Sequence, residues 1–552
     1  MSESGESPTP PGASLPPMNS KPDPVATPAP SASLPQWQVC EQARLSRDPR
    51  FDGLFFTAVT STGIYCRPVC PAPAAKRENV KYFGHAAAAE AAGFRPCLRC
   101  RPELSPAEGA WRRGDAAIAR ALKLIDEGAL AEQPLAALAE RVGLGERQLR
   151  RLFVDRLGAP PIGVHSTRRL LFAKQLLTET RLPITEVAMA AGFGSLRRFN
   201  TTFREAYRMA PRDLRRHPNE TPDSDGETLV LRLGYRPPYD FALMLDFLRG
   251  RALPGVEVVD EHSYSRVIGP IDAPGWLRVS AWPSSKNEPQ HALKLELHGP
   301  APARLLEIIN RLRRMFDLDA DPNAIGAALS VDPRLRALVA KRPGLRLPSG
   351  WDGFEISVRA ILGQQVSVAA ARTLAARTAQ RFGQPLPKAF GPGLEHLFPT
   401  PEALADADLA EIGLTRARAD TVRTVARALL DGRVDFRTER TLDEFVARWV
   451  ALPGIGPWTA HYIALRALGH PDAFPADDLV LQKALPEDGI RMSAKALNAR
   501  AEAWRPWRAY AVIQIWRDSM STPLAKSAVK PAPAIAPPGE APMKTRKARK
   551  AA

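Results

Sequence analysis

Hydrophobic and polar positions change their rhythm several times along this 552-residue chain. Residues 36–104 open with a strand-like run, FFTAVTSTGIYC, and later hold an alanine-rich helical stretch, HAAAAEAAGF. Residues 109–216 keep helical spacing throughout. Residues 228–330 mix periods: LVLRLG and HALKLELHG alternate as strands, while YDFALMLDFLRG is an amphipathic helix. Residues 331–520 return to amphipathic helices joined by short Gly/Pro turns. A polar run beginning HPNETPDSDG marks a linker at 217–227. Residues 1–35, made largely of Pro, Ser, Ala and Gly, are expected to be disordered, with Met18 as a second plausible start. Residues 521–552 form a disordered basic tail ending KTRKARKAA, a solvated segment with weak attraction for nucleic acid. A chain this long exceeds one core. The expected fold class is therefore multidomain, mainly α with α+β parts.

Charge narrows the partners. The formal net charge is +17, and residues 109–216 hold 20 Lys and Arg against 11 Asp and Glu. Such an excess points to a polyanion, nucleic acid first. No apolar run approaches the roughly 20 residues that span a bilayer, so no membrane is expected. No basic-then-apolar leader is visible. Five cysteines are an odd number, which argues against a disulfide framework and for a reducing cytoplasm.

Four of those cysteines are set as C-x3-C and C-x2-C, Cys66/Cys70 and Cys97/Cys100, spacings that close a tetrahedral zinc site. Arg67, Lys76, Arg77, Arg95, Arg99 and Arg101 lie among or beside them, which favours contact with phosphate. A purely structural zinc clip is the competing reading. A redox pair is disfavoured, since no βαβ pattern surrounds the C-x2-C. The segments GIYCRPVC, RENVKYF and AAGFRPCLRC resemble the N-terminal domain of the Ada methylphosphotriester DNA methyltransferases, over nearly all of 36–104. The resemblance implies a small zinc-binding α+β domain with one Zn²⁺ on Cys66, Cys70, Cys97 and Cys100. It also implies that Cys66 is the nucleophile that takes a methyl group from a methylated DNA phosphate, with Thr62, Arg95 and Arg99 gripping phosphates. Chemistry supports that assignment. A free thiol is mostly protonated at neutral pH, whereas zinc holds it as thiolate. Conversion to a thioether lowers the cluster's negative charge and its repulsion from DNA. Cys40 stands apart as an ordinary thiol.

Residues 109–216 repeat one design, QPLAALAERVGLGERQLRRLFVDRLGAPP and then LPITEVAMAAGFGSLRRFNTTFREAYRMAPRDL. Each copy has a short helix, a turn at Gly143 or Gly192, and an arginine-rich second helix suited to a major groove. Candidate groove residues are Glu146, Arg147, Gln148 and Arg150 in one copy, and Ser195, Leu196, Arg197 and Asn200 in the other. The alternative is a solvated basic helix. The repeat, with AxxxGF and FxxxFRExYxxxPxxxR, resembles the AraC/XylS activators, whose double helix-turn-helix follows the cysteine unit in Ada proteins. Promoter DNA and RNA polymerase are the partners this implies.

No cysteine follows Cys100, so a methylguanine methyltransferase is excluded from the second half. Instead YRPPYDFALMLDFL, AILGQQVSV, LPGIGPWTAHYIALRALG, FPADDLVLQ and WRPWRAYAVIQIW resemble the AlkA-type 3-methyladenine DNA glycosylases over roughly 228–520. An α+β N-terminal-like domain at 228–330 and an all-α helix-hairpin-helix domain at 331–520 follow from that likeness. LPGIG is the hairpin, with the Gly454 and Gly456 amides available to a phosphate. Asp478 aligns with the catalytic aspartate, and Asp477 is expected to be structural, capping the next helix. The position of the lyases' lysine is Trp458, which favours hydrolysis without strand cleavage. The base pocket is expected from Trp458, Tyr462, Trp516 and Phe247, whose electron-rich faces attract a cationic methylated purine. Gln365 stands where an apolar wedge fills the gap left by a flipped base, and Arg517 where an aromatic is expected. Hairpin carbonyls near Val450, Leu452 and Ile455 are candidates for a monovalent cation.

The expected function is therefore repair of alkylated, double-stranded DNA combined with transcription control, by a monomer in a bacterial cytoplasm, associated with the nucleoid. A transcription regulator with structural zinc and a non-catalytic DNA-binding second half is the alternative.

Overall fold

The computed structural model describes residues 34–106, 116–126, 128–215, 228–270, 272–283, 291–299, 302–386, 391, 393–436, 441–486 and 490–521. The expected N-terminal disorder (apart from Leu34 and Pro35), the linker and nearly all of the basic tail lie outside them.

The cysteine unit is built on a four-stranded sheet of Phe56–Val59, Ile64–Cys66, Val80–Phe83 and Arg95–Pro96. A turn through Gly63 pairs the first two strands antiparallel, and Arg95–Pro96 runs parallel to Ile64–Cys66. That register sets Tyr65 beside Pro96, so the residues that follow, Cys66 and Cys97, emerge together. Phe56, Tyr65 and Phe83 pack beneath the helix Ala86–Ala91.

Helices Leu135–Arg141 and Glu146–Leu157 form the first helix-turn-helix, and Ile184–Ala190 and Leu196–Tyr207 the second. The 19-residue helix Pro161–Glu179 joins them. Each second helix buries one stripe at i, i+4, i+8: Leu149, Phe153 and Leu157, then Phe199, Phe203 and Tyr207. Their polar faces are left outward.

The two motifs differ in what they pack against. The first has its own core around Leu138, Leu149 and Phe153. The second shares a continuous apolar core with everything that follows, from Phe199 and Phe203 through Leu231 and Leu295 to Val358 and Ile463. A polar linker in sequence is therefore no seam in the core.

An antiparallel five-stranded sheet comes next, with Thr228–Gly234, Ala292–His298, Gly275–Ala281, Ser263–Ile268 and Glu257–Val259 side by side in that order. Helices Phe241–Arg249 and Leu305–Met315 belong to the same region. Among the described residues, the remainder is helical apart from a two-residue ribbon, Gln384–Pro385 with His396–Leu397. Its central elements are Gly353–Leu362, Val368–Phe382, Arg416–Leu430, Leu442–Val450, Pro457–Ala467, Leu479–Ala484 and Arg508–Ser521. No helix among the described residues is long and apolar enough to cross a membrane.

Candidate active site and metal centre

The hairpin is made by a capped start and a forced turn. Thr441 and Glu444 form a reciprocal capping box on Leu442–Val450. The chain then turns at Gly454, whose φ is +86°, and a Cβ there would lie 2.0 Å from Thr421 Oγ1. Glycine is required at that point on both counts. Gly456 caps the next helix, Pro457 takes its first position, and neither the Gly454 nor the Gly456 amide donates to an acceptor among the described residues. The Leu452 carbonyl already accepts the Ile455 amide at 3.1 Å.

That helix carries Trp458 and Tyr462 one turn apart, with rings stacked at 5.2 Å and 19°. Asp478 meets them from the loop preceding Leu479–Ala484, and Trp516 from Arg508–Ser521. Asp478 is 8 % exposed. Its Oδ2 accepts from Trp458 Nε1 at 3.0 Å, and its Oδ1 from Trp516 Nε1 at 3.2 Å. Oδ1 also accepts the Val480 and Leu481 amides, both at 3.0 Å. Helix capping, expected of Asp477, is thus done by Asp478, while Asp477 is exposed. The one buried carboxylate of the pair serves the helix end and the pocket together.

These groups line a cavity of about 330 Å³ that also takes in Ile356, Ala360, Val366, Val480 and Met520. Phe247 is not in its wall. It is 3 % exposed beneath two guanidinium groups, Arg251 at 3.8 Å and Arg466 at 4.9 Å from its ring centroid. Arg251, Arg359, Arg372 and Arg466 reach the cavity instead. Sequence reasoning missed them, although Arg466 lies one helical turn from Tyr462 and Arg359 one turn from Glu355. Arg359 is partly neutralised by Glu355 at 2.9 Å and Glu257 at 3.3 Å. Burial pushes the Tyr462 phenol up, but Arg466, Arg251 and Arg359 outweigh it and hold it below the ordinary range. Burial likewise brings Arg251 down to about 10, so it stays charged at neutral pH. Attraction for a cationic base must then come from the indole and phenol faces, against the local guanidinium charge.

The candidate wedge sits at the rim. Gln365 is exposed with φ of +55°, a conformation uncommon for a side-chain-bearing residue. Its neighbour Gln364 ties the loop to the hairpin, donating to the Gly454 carbonyl and Thr459 Oγ1, both at 3.1 Å. Arg418 donates to the Gln364 carbonyl at 2.5 Å. Arg517 turns away to pair with Asp246 at 2.7 Å.

At the other end of the chain, the Sγ atoms of Cys66, Cys70, Cys97 and Cys100 all lie within 4.8 Å of one another. Four sulfurs about 2.3 Å from one Zn²⁺ require such spacing. Cys97 and Cys100 are buried and Cys66 and Cys70 half-buried, so Cys66 keeps access to solvent. Cys40 lies elsewhere, fully buried, with its thiol pushed up to about 12 by burial.

Four family models match, in chain order. They are the metal binding domain of Ada at 39–103, a helix-turn-helix domain at 138–217, the AlkA N-terminal domain at 230–352, and the HhH-GPD superfamily of base excision DNA repair proteins at 358–509. The probable bifunctional transcriptional activator/DNA repair enzyme AlkA of Mycobacterium tuberculosis is 39% identical over 480 residues, covering 86% of this chain and 95% of that one. The chain belongs to this family of bifunctional transcriptional activator/DNA repair enzymes. DNA-3-methyladenine glycosylase 2 of Escherichia coli is 37% identical over 288 residues, 51% of this chain and 95% of its own length. The bifunctional activator/repair enzyme Ada of Escherichia coli is 40% identical over 154 residues, 28% of this chain and 41% of its own length.

In this member of the bifunctional family the four cysteines form a zinc site and the second half is a DNA glycosylase domain. The basic ring around the zinc site divides by role. Arg67 pairs with Asp52 and donates to the Cys100 carbonyl at 3.1 Å, and Arg101 pairs with Glu103 and Glu179. Arg99 and Thr62 are exposed and Arg95 half-buried, with the Thr62 hydroxyl near the Val59 carbonyl. On the first recognition helix Arg147, Gln148 and Arg150 are exposed, Arg150 pairing with Glu146 at 2.7 Å. On the second, Arg197 and Leu196 are exposed and Asn200 half-buried, while Ser195 caps the helix by accepting the Arg198 amide at 3.4 Å. Arg169, from the joining helix, braces that turn by donating to the Ala191 carbonyl at 2.7 Å and stacking on Phe193.

Proposed function

We propose that the second half hydrolyses the N-glycosidic bond of alkylated bases of the 3-methyladenine kind, as a monofunctional glycosylase with Asp478 as its catalytic group. The observation that carries the reading is a buried carboxylate held between two indoles at the wall of a base-sized cavity. The alkylated base is flipped into that cavity and stacks on the aromatic faces. As the bond to the base breaks, positive charge grows on the deoxyribose, and Asp478 stabilises it. A lysine able to form a Schiff base is missing from the hairpin position, which holds Trp458, so an abasic site is the product. Gly454 and Gly456 meet a backbone phosphate, Gln365 enters the duplex, and the hairpin carbonyls take a monovalent cation.

In the first half, Cys66 accepts one methyl group per molecule from a DNA methylphosphotriester, with Thr62, Arg95 and Arg99 on neighbouring phosphates. Bound zinc keeps the ligand sulfurs as thiolates at neutral pH. The helix-turn-helix pair then places Arg147, Gln148, Arg150, Ser195, Arg197 and Asn200 at promoter DNA and engages RNA polymerase. The protein acts as a cytoplasmic, nucleoid-associated monomer, in four folded units at 36–104, 109–216, 228–330 and 331–520.

Release of 3-methyladenine from alkylated duplex tests the first claim. Wild type releases base and Asp478→Asn does not; equal rates would sink the assignment. Mass spectrometry after exposure to methylphosphotriester DNA tests the second, with one added methyl on Cys66 expected and a purely structural zinc site indicated by none.

A further inference from the structure

The two oxygens of Asp478 are not equivalent. Oδ1 accepts three N–H groups, from Val480, Leu481 and Trp516. Oδ2 accepts one, from Trp458 Nε1 at 3.0 Å. A carboxylate oxygen offers about two lone-pair sites, so Oδ1 is saturated and Oδ2 keeps one free. Both backbone donors belong to the helix end that Asp478 caps, so Oδ1 is bound to the scaffold.

We infer that Oδ2 is the oxygen that faces the reacting sugar, and that Trp458 is the positioning residue that aims it. This rests on Asp478 being the catalytic group. Rotation about Cβ–Cγ would carry Oδ1 off its three donors, so those donors fix the carboxylate plane, and the Trp458 N–H takes one lone pair of Oδ2 and leaves the other for the sugar. Trp458 stands two residues after Gly456, at the start of the helix launched by the hairpin. The element expected to grip a phosphate therefore also selects which lone pair of Oδ2 stays free. In the reaction the C1′–N bond breaks and its electron pair leaves with the base. Oδ2 stabilises the positive sugar, water oxygen bonds to C1′, and the water proton passes to solvent. Asp478 ends as it began. The indole thus serves twice, with its face towards the base and its edge towards the carboxylate.

Single-turnover release of 3-methyladenine separates these roles. Trp458→Phe keeps an aromatic face and loses the N–H, and replacing Trp458 by benzothienylalanine keeps the full indole outline without the N–H. Both are expected to slow the chemical step by about 10- to 100-fold with unchanged affinity for abasic-site DNA. Trp516→Phe costs less, because the two amides still hold Oδ1. Should the benzothienyl protein react at the wild-type rate while Asp478→Asn is inactive, the positioning role is overturned and the proposed function stands. A loss of affinity with an unchanged rate also overturns it, leaving Trp458 a stacking surface. An active Asp478→Asn overturns the underlying reading itself.

Discussion

Lys174 offers a direct test of how the zinc site is held. It lies on the long helix between the two helix-turn-helix motifs, and its ammonium pairs with Glu103 where both side chains are 1 % exposed. It also donates to the Cys97 carbonyl at 3.4 Å, and Glu103 follows Cys100 by three residues. Lys174→Met leaves a buried carboxylate with Arg101, at 3.1 Å, as its one countercharge among the described residues. Removing one partner of a buried pair costs about 3–5 kcal/mol, and the surviving arginine places this case near 3. Expressed locally, about 3 kcal/mol raises opening of the Cys97–Cys100 segment roughly a hundredfold. Lys174→Met with Glu103→Leu removes both charges and leaves Arg101 its bond to Glu179 at 2.8 Å, so most of the loss should return. Transfer of zinc to a chromophoric chelator reads the opening directly. The expected order is fast release from the single variant and near wild-type release from the double. Additive effects of the two substitutions, with no coupling, would refute the reasoning.

Two further outcomes follow from single positions. Burial raises the Asp317 carboxyl from 3.8 to about 6, so between these pH values the folded state binds the extra proton and stability falls as pH rises. Asp317→Asn keeps an acceptor for the Leu347 amide and Tyr510 hydroxyl and should stabilise by up to about 3 kcal/mol at pH 7.5, with most of the gain lost near pH 4; equal gains in melting curves at both would contradict it. Gly454→Ala brings left-handed strain and a collision with Thr421, an expected cost of about 2–4 kcal/mol in denaturant unfolding together with weaker DNA binding, and an unchanged midpoint would show that the hairpin yields.

What was readable in advance depended on whether local spacing sets the chemistry. Four cysteines at short spacings need only a sheet register to meet, and Tyr65 opposite Pro96 supplies it. Trp458 and Tyr462 are one turn apart on one helix, so their stacking follows from helical geometry. Long-range electrostatics were not readable. Phe247 was expected in the pocket because aromatics suit methylated bases, yet Arg251 and Arg466 lie over its ring. The cap went to Asp478 because one buried carboxylate satisfies two helix amides and two indoles at once, a choice between adjacent aspartates that no spacing rule makes. Likewise nothing local separates Arg67 and Arg101, spent on internal carboxylates, from the exposed Arg99.

The fusion itself is physical as well as genetic. Arg236, from the segment after the first strand of the five-stranded sheet, is fully buried. It donates to the Asp52 carbonyl at 2.8 Å and the Pro106 carbonyl at 3.4 Å on the cysteine side, and to the Asp319 carbonyl at 2.6 Å on its own side. Burial brings its pKa down to about 10, so a full charge sits in this seam at neutral pH. Such a charge is tolerable only while both sets of carbonyls surround it, which makes folding of one side conditional on the other. Arg236→Met removes that condition. Calorimetry of the zinc-loaded chain should then resolve the cysteine unit as a separate, earlier transition from the sheet it rests on. If the two still unfold together, the pairs Lys174–Glu103 and Arg101–Glu179, which tie the cysteine unit to the helix Pro161–Glu179, carry the cooperativity rather than the guanidinium.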